Sequence, residues 1–384
     1  MHARSKLPRT TRHGGHHRAW FAAISVTALA VVAVGVAALV DHGPGLASPG
    51  QAATTTTAAP PPVLAVSAVS PAAGATGVDP GATVTVTFST PVSPTGPMPT
   101  LSPAVAGAWV AASPTVLTFV ATAPFVPSTT ETLTVPGGSA GVQGSHGQTL
   151  AAPATSTFTV APGSELRLQQ LLAQLNYLPV SFTPSTTVSP SQAADPAQGT
   201  FAWRWTPQPW LAPLWTQGTT NVLTTGAVMA FEDQHGLTTD GIAGPQVWTA
   251  LLQAAATNAT DPNPYDYVYV SKSLPESATV FRNGAQVYST PANTGVPGAT
   301  TASGTFPVYL RYKVTTMSGT NPDGTKYHDP GIPWVSYFNG GDALHGFVRP
   351  GYGYPQSDGC VEMPPANAAV VWPMTPIGTP VTVS

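Results

Sequence analysis

A lone cysteine, Cys360, stands in Ser357-Asp358-Gly359-Cys360, with His345-Gly346 upstream, 15 positions from histidine to cysteine. An exported chain that needs disulfides carries cysteines in pairs, so a single one here points to a thiol kept free for chemistry. A small buried apolar cysteine is the competing structural reading. A free thiol has a pKa of about 8.5 and is mostly protonated at neutral pH, so attack on an amide needs a base or cation beside it. His345 fits that role, taking the thiol proton and returning it to a departing amine. An isolated histidine is more often structural, and it is the pairing with Cys360 that reverses the reading. Gly359 next to Cys360 lets backbone N–H groups approach a developing oxyanion with no side chain in the way. Lysines are scarce, no Ser-x-x-Lys set occurs, and neither a phosphate loop nor a cysteine–histidine metal spacing is present. The expectation is therefore catalysis without a metal or organic cofactor.

The elements that must position these groups follow from composition. Only 8% of the 384 residues are charged, against 43 prolines and 37 glycines, which suits linked β-rich modules and not a helical protein. Residues 1–18 hold Arg4, Lys6, Arg9, Arg12 and Arg18 and no acid, and Trp20 to Val40 is an apolar run of 21 residues. That length spans a bilayer core of roughly 30 Å, whereas a cleaved signal has about 7–15 apolar residues. The prediction is a cytoplasmic tail (1–19), a transmembrane signal anchor (20–40) and an extracytoplasmic remainder; cleavage near Ala47 or Ala53 would instead release it. Beyond the tail, eight basic residues face 16 acidic ones, which excludes nucleic acid as a natural partner. His13, His16 and His17 read as part of a solvated tail and not as a metal tract.

Residues 41–62, rich in Pro, Thr and Ala, read as an extended tether. Over 63–161, alternating runs such as Thr83 to Phe88 and Val116 to Val120, cut by Pro and Gly turns, predict an antiparallel β-sandwich. With Ser70-Pro71-Ala72-Ala73-Gly74 and Phe158-Thr159-Val160 this segment resembles a bacterial immunoglobulin-like module. Over 164–257 the period changes. Leu168, Leu171, Leu172 and Leu175 fall at helical spacing behind Ser164 as N-cap, and stripes through Val228 and Phe231 and through Trp248 and Leu251 follow. Together with Asp240-Gly241-Ile242-Ala243-Gly244, this three-helix pattern resembles a small peptidoglycan-binding domain. An insertion over 179–220 carries Trp203, Trp205, Trp210 and Trp215, which either cover the helices as a satellite core or stack on sugar rings.

From residue 262 period-two stretches return, with Asn283-Gly284 as a hairpin signal. Here Thr294-Gly295, Thr301-Ala302-Ser303-Gly304, Pro333-Trp334, Tyr337-Phe338-Asn339-Gly340-Gly341, His345-Gly346 and Ser357-Asp358-Gly359-Cys360 resemble, in order, the L,D-transpeptidase catalytic family. The fold class expected is thus multidomain and mainly β, comprising a transmembrane helix, an Ig-like sandwich, a three-helix peptidoglycan-binding bundle and a catalytic domain over 262–384. The resemblance implies cross-linking of peptidoglycan stem peptides through an acyl-cysteine. Cys360 would be the nucleophile, His345 the acid and base, and Gly359 with Cys360 the oxyanion donors. Trp334, Tyr337, Phe338 and Ser357 would be walls or orienting groups, with Gly346, Asp358 and Glu362 also at the substrate. It further implies acylation by carbapenems. Two positions depart from the pattern: Asp358 replaces a usual histidine and Glu362 a frequent Arg or Asn. A carboxylate beside the thiol disfavours thiolate; alternatively Asp358 points away or holds an ammonium. Glu362 either binds a stem amine or is a solvated carboxylate. The competing functions are an L,D-carboxypeptidase, a wall-binding scaffold with a disabled thiol, and attachment of another amine to the wall.

Overall fold

The computed structural model describes residues 62–384. The expected tail, membrane span and all but the last residue of the tether lie outside the described residues. Among the described residues no helix is long and apolar enough to cross a membrane.

Eight strands build the first module: β1 (Val66–Ser70), β2 (Ala75–Val78), β3 (Val84–Phe88), β4 (Thr100–Ser102), β5 (Gly107–Ser113), β6 (Val116–Ala121), β7 (Thr130–Val135) and β8 (Ala154–Val160). They form two sheets, ordered β1-β3-β6-β5 and β2-β8-β7-β4. Alternation sends Val84, Val86 and Phe88 of β3 and Leu117 and Phe119 of β6 inward, where Phe125 meets Phe158 edge to face at 5.4 Å. β2 and β8 pair parallel, a departure from the antiparallel expectation.

The bundle begins at α1 (Glu165–Gln174), whose N-cap Ser164 accepts from the Arg167 N–H at 3.1 Å. The insertion opens with the hairpin β9 (Val180–Pro184) and β10 (Gly199–Trp203), then reaches the C-terminal domain through Trp205 and Trp210. α2 (Val222–Gln234) is capped by Asn221, and α3 (Pro245–Thr257) starts on Pro245 and stops on left-handed Asn258. The four tryptophans of the insertion pack against the bundle's core, which runs on into Tyr267. Trp210 stacks on Tyr269 at 4.7 Å and meets Tyr267 and Phe281 edge-on. These rings cover the helices, as one of the two readings expects, and the core they join is shared with the C-terminal sheet through Tyr267. Trp210 has one ring face stacked on Tyr269, a face the sugar-stacking alternative would need free. Helix α2 lies so close to the C-terminal loop that a Cβ on Gly226 would sit 2.5 Å from the Gly378 carbonyl oxygen.

The C-terminal domain follows as β11 (Asp266–Ser271), β12 (Ser277–Arg282), β13 (Ala285–Pro291), β14 (Gly304–Pro307), β15 (Leu310–Thr320), β16 (Lys326–Asn339), β17 (Asp342–Gly346), β18 (Val361–Met363), α4 (Pro365–Val371) and β19 (Pro380–Val383). One sheet is ordered β13-β12-β11-β19-β14, the other β15-β16-β17-β18. Val268, Val280 and Val381 of the first sheet meet Phe338, Leu344 and Val361 of the second and Val371 of α4 in one core. Asn283-Gly284 makes the β12–β13 turn, both residues at positive φ as such a turn requires.

Candidate active site

β17 and β18 are parallel neighbours, with Leu344 opposite Val361 and His345 opposite Glu362. Alternation does the rest. Leu344 and Val361 face the core, so His345 and Glu362, and Cys360 just before β18, face the other way. There His345, Cys360, Asp358, Glu362 and Arg349 line one cleft of about 250 Å³ together with Tyr327, Asp329 and Ile332 of β16. Residues far apart in the chain are thus brought to one face by a two-strand register.

His345 is 3% exposed. Its Nδ1 lies 3.1 Å from the Gly346 carbonyl, which can only accept, so Nδ1 carries the proton and Nε2 is left bare as a base. Burial pulls the imidazole pKa below its ordinary value, partly offset by the Gly346 carbonyl and the Glu362 charge. Cys360 is half-buried, and its Sγ donates to the Gly341 carbonyl at 3.6 Å. Burial pushes the thiol up to about 12; the Ala343 N–H opposes this, while the carboxylates of Asp342, Glu362 and Asp358 add to it. The resting pair is neutral thiol and neutral imidazole. Such a pair can attack an acyl carbon if the imidazole takes the proton as the bond forms.

The nucleophile loop is braced from below. Buried Glu276 accepts from Thr294 N (2.6 Å) and Oγ1 (2.7 Å), and the Thr294 carbonyl accepts from the N–H groups of Gln356 and Ser357. That is the structural work of the Thr294-Gly295 pair. Ser357, 2% exposed, donates to the Cys360 carbonyl at 2.5 Å and accepts from the Gly359 N–H at 3.3 Å. Gly359 sits at φ 115°, and a Cβ there would fall 2.6 Å from Asp342 Oδ1, so only glycine lets this turn rest on Asp342.

Several expected roles change. Gly346 holds the imidazole through its carbonyl and lies outside the cleft lining. Ser357 lines the cleft and braces the loop, as expected of a wall or orienting group. Its bond with Gly359 turns that amide into the loop, away from the free oxyanion-donor position expected of it. Phe338 is core, and Trp334 packs against Trp372 at 5.6 Å on that core's margin, so neither lines the cleft. Tyr337 does pack on Ile332, Val335 and Ala343 beside Cys360, and burial followed by the Cys360 charge pushes its hydroxyl up to about 12. Asp358 is exposed at the cleft, so it does not point away. Glu362 is 4% exposed and forked onto Arg349 at 2.7 and 2.8 Å, neither solvated nor free for an amine. Sequence reasoning missed Asp342, Arg349 and Glu276. Arg349 carried the only available signal, a lone basic residue between the histidine and the cysteine.

A free cysteine and a tautomer-fixed imidazole facing one cleft of a two-sheet domain have the parts of an acyl-transfer site. Comparison with known families names the domain. Residues 265–383 match the L,D-transpeptidase catalytic domain, 59–160 a bacterial Ig-like domain and 216–251 a peptidoglycan binding domain. The chain thus carries an L,D-transpeptidase catalytic domain together with those two modules. Among solved structures it is similar to an L,D-transpeptidase from Mycobacterium smegmatis (16% identity over 84% of this chain and 100% of that one, TM-score 0.29). It is also similar to L,D-transpeptidase 3 from Mycobacterium tuberculosis (15%, 83% and 98%, TM-score 0.29). A third is the catalytic domain of the E. faecium L,D-transpeptidase (27%, 32% and 100%, TM-score 0.29). No curated protein matches the chain.

Proposed function

We propose that the protein is an L,D-transpeptidase that cross-links peptidoglycan stems through Cys360. Sγ attacks the carbonyl at the L-centre of diaminopimelate in a donor tetrapeptide. The thiol proton passes to His345 Nε2 and on to the nitrogen of the terminal D-alanine, whose C–N bond breaks to leave a thioester. An amine of a neighbouring stem then attacks, His345 takes its proton, and the C–S bond breaks to restore the thiol. Two diaminopimelate residues are thereby joined. The Cys360 amide holds the oxyanion. Asp358 at the cleft suits the ammonium of the acceptor before it loses its proton.

The single observation behind this reading is the register that puts the base-bearing strand beside the nucleophile in one cleft. The bundle holds glycan near that cleft, which raises local substrate concentration without touching the chemical step. The action is extracytoplasmic, at the membrane or in the wall according to whether the anchor is retained. Full-length protein given a disaccharide tetrapeptide yields a transient acyl adduct by intact mass and a dimer one alanine short. Shortened monomers without dimers would make it an L,D-carboxypeptidase. Three carboxylates around the thiol favour one second reading, a wall-binding scaffold; it predicts binding to sacculi with no adduct at all. The same attack on a carbapenem opens the β-lactam C–N bond and leaves a stable thioester on Cys360, read by the same mass measurement.

A further inference from the structure

Arg349 lies four residues beyond His345, and its guanidinium gathers the segments on either side of Cys360. Nε donates to Glu362 Oε2 at 2.8 Å and Nη2 to Oε1 at 2.7 Å, a two-pronged fork on the carboxylate. Nη2 also donates to the Gln356 carbonyl at 3.1 Å. The guanidinium carbon sits 4.6 Å from the centre of the Phe347 ring, and that ring stands edge-on to His345 at 6.2 Å. One cation therefore touches residue 347, two beyond the base, and residues 356 and 362, which bracket the nucleophile. Its main partner, Glu362, is buried on the face it shares with Cys360, and its charge is among those that oppose thiolate formation. A buried carboxylate stripped of its cation is a costly group, and the loop carrying it moves to find water.

We infer that Arg349 is a positioning residue for the Cys360–His345 pair, holding the nucleophile loop against the histidine strand and offsetting the Glu362 charge that faces the thiol. The substitution of Glu for a frequent Arg or Asn at position 362 thereby has its counterpart in the same chain. The inference rests on Cys360 being the nucleophile of the proposed reaction. Arg349 hydrogen-bonds neither Asp342 nor Asp358; its charge reaches Asp358 and His345 as well, but its direct bonds are to Glu362 and the Gln356 carbonyl, so its removal acts first at Glu362.

The test uses the full-length chain and two readouts: the rate of Cys360 alkylation by iodoacetamide at fixed pH, which follows the thiolate fraction, and the rate of acylation by a stem tetrapeptide. Arg349→Gln is expected to slow alkylation about tenfold, the effect of one unit of pKa. It should slow acylation about 100-fold, the scale of a small misplacement of reacting groups. The double variant Arg349→Gln, Glu362→Gln removes the stranded charge. It should bring alkylation back to at least the wild-type rate while acylation stays at least tenfold down, because the fork is gone. Should Arg349→Gln fail to fold, the double variant decides alone, and wild-type acylation in it overturns the inference. Both rates within twofold of wild type in Arg349→Gln overturn it as well. If wild-type protein is never acylated by the tetrapeptide, the proposed reaction fails, and the alkylation rates still report on Arg349.

Discussion

The cleft around Cys360 and the junction around Trp210 are built from opposite materials. In the cleft, buried groups are polar and paired: imidazole to a backbone carbonyl, Glu362 to Arg349, thiol to a carbonyl. At the junction they are rings on rings, Trp210 against Tyr269, Tyr267 and Phe281. Paired charges contribute little net stability, yet losing one partner costs about 3–5 kcal/mol because the other stays buried. Apolar area stabilises without pairing, at about 25 cal/mol per Å² removed from water. The junction can therefore carry the stability of the bundle and catalytic sheet together. It leaves the cleft free to keep a thiol and an imidazole in protonation states that burial makes unfavourable to change.

That contrast is broken most directly at the cleft's own chemistry. Cys360→Ala should abolish every acyl adduct by intact mass while leaving the thermal transition in place, since the side chain is only half-buried. His345→Gln should cut acylation by about 10³-fold, within the range for a general acid–base group, again with the fold retained. Trp210→Ala reverses the pattern. It should lower stability by about 3–5 kcal/mol in denaturant titration, as for large aromatic truncations. Carbapenem acylation of the molecules still folded should stay near wild type. A Trp210 variant with normal stability and lost acylation would make the junction part of the site and erase the distinction.

How much of this was legible in the sequence divides along the same line. Alternation in Thr83 to Phe88, the Ser164 cap and the Asn283-Gly284 turn are local signals, and each folds as read because neighbours a few residues apart decide it. Cys360 and His345 were legible because their residue types are rare and their chemistry specific. Phe338 and Trp334 misled because an aromatic close to a catalytic motif can face either side of a strand, and only the β16 register says which. Glu362 misled because its partner is 13 positions back, across a loop whose path no local rule fixes. The insertion's tryptophans were read as covering the helices because the surface they share with β11 is created only when the two domains dock.

Acidity separates the domains a second way. Burial holds the folded His345 pKa below the unfolded value of about 6.5, so below that pH the unfolded chain binds more protons and stability falls as pH drops. Glu232 of α2, 1% exposed with Oε2 accepting from the Gly241 N–H at 2.9 Å, goes the other way. Burial pushes its carboxyl from 4.5 up to about 7, so the folded state binds more protons between those values and stability falls as pH rises through them. Glu232→Gln should therefore stabilise the protein at pH 8 by roughly 1 kcal/mol and not at pH 4, since below both values the carboxyl is already neutral. Melting curves at the two pH values check this. For activity, the acid limb should lie below pH 6.5, where His345 finally accepts a proton and ceases to be a base.

The smallest expected effect tests why the thiol is reluctant. Asp358 is exposed and stands after Asp342 and Glu362 among the carboxylates that raise the Cys360 pKa, behind burial itself. Water and salt screen an exposed charge, so Asp358→Asn should speed iodoacetamide alkylation at pH 8 only about threefold. That gain should vanish in 1 M salt, where the screening length is about 3 Å. Asp342 is half-buried, accepting from the Ala302 N–H and lying against Gly359, so more of its influence should persist in salt. If Asp358→Asn instead speeds alkylation a hundredfold, the exposed carboxylate and not the enclosure governs the thiol. The cleft would then owe its resting state to a surface charge that salt can switch, unlike anything at the Trp210 junction.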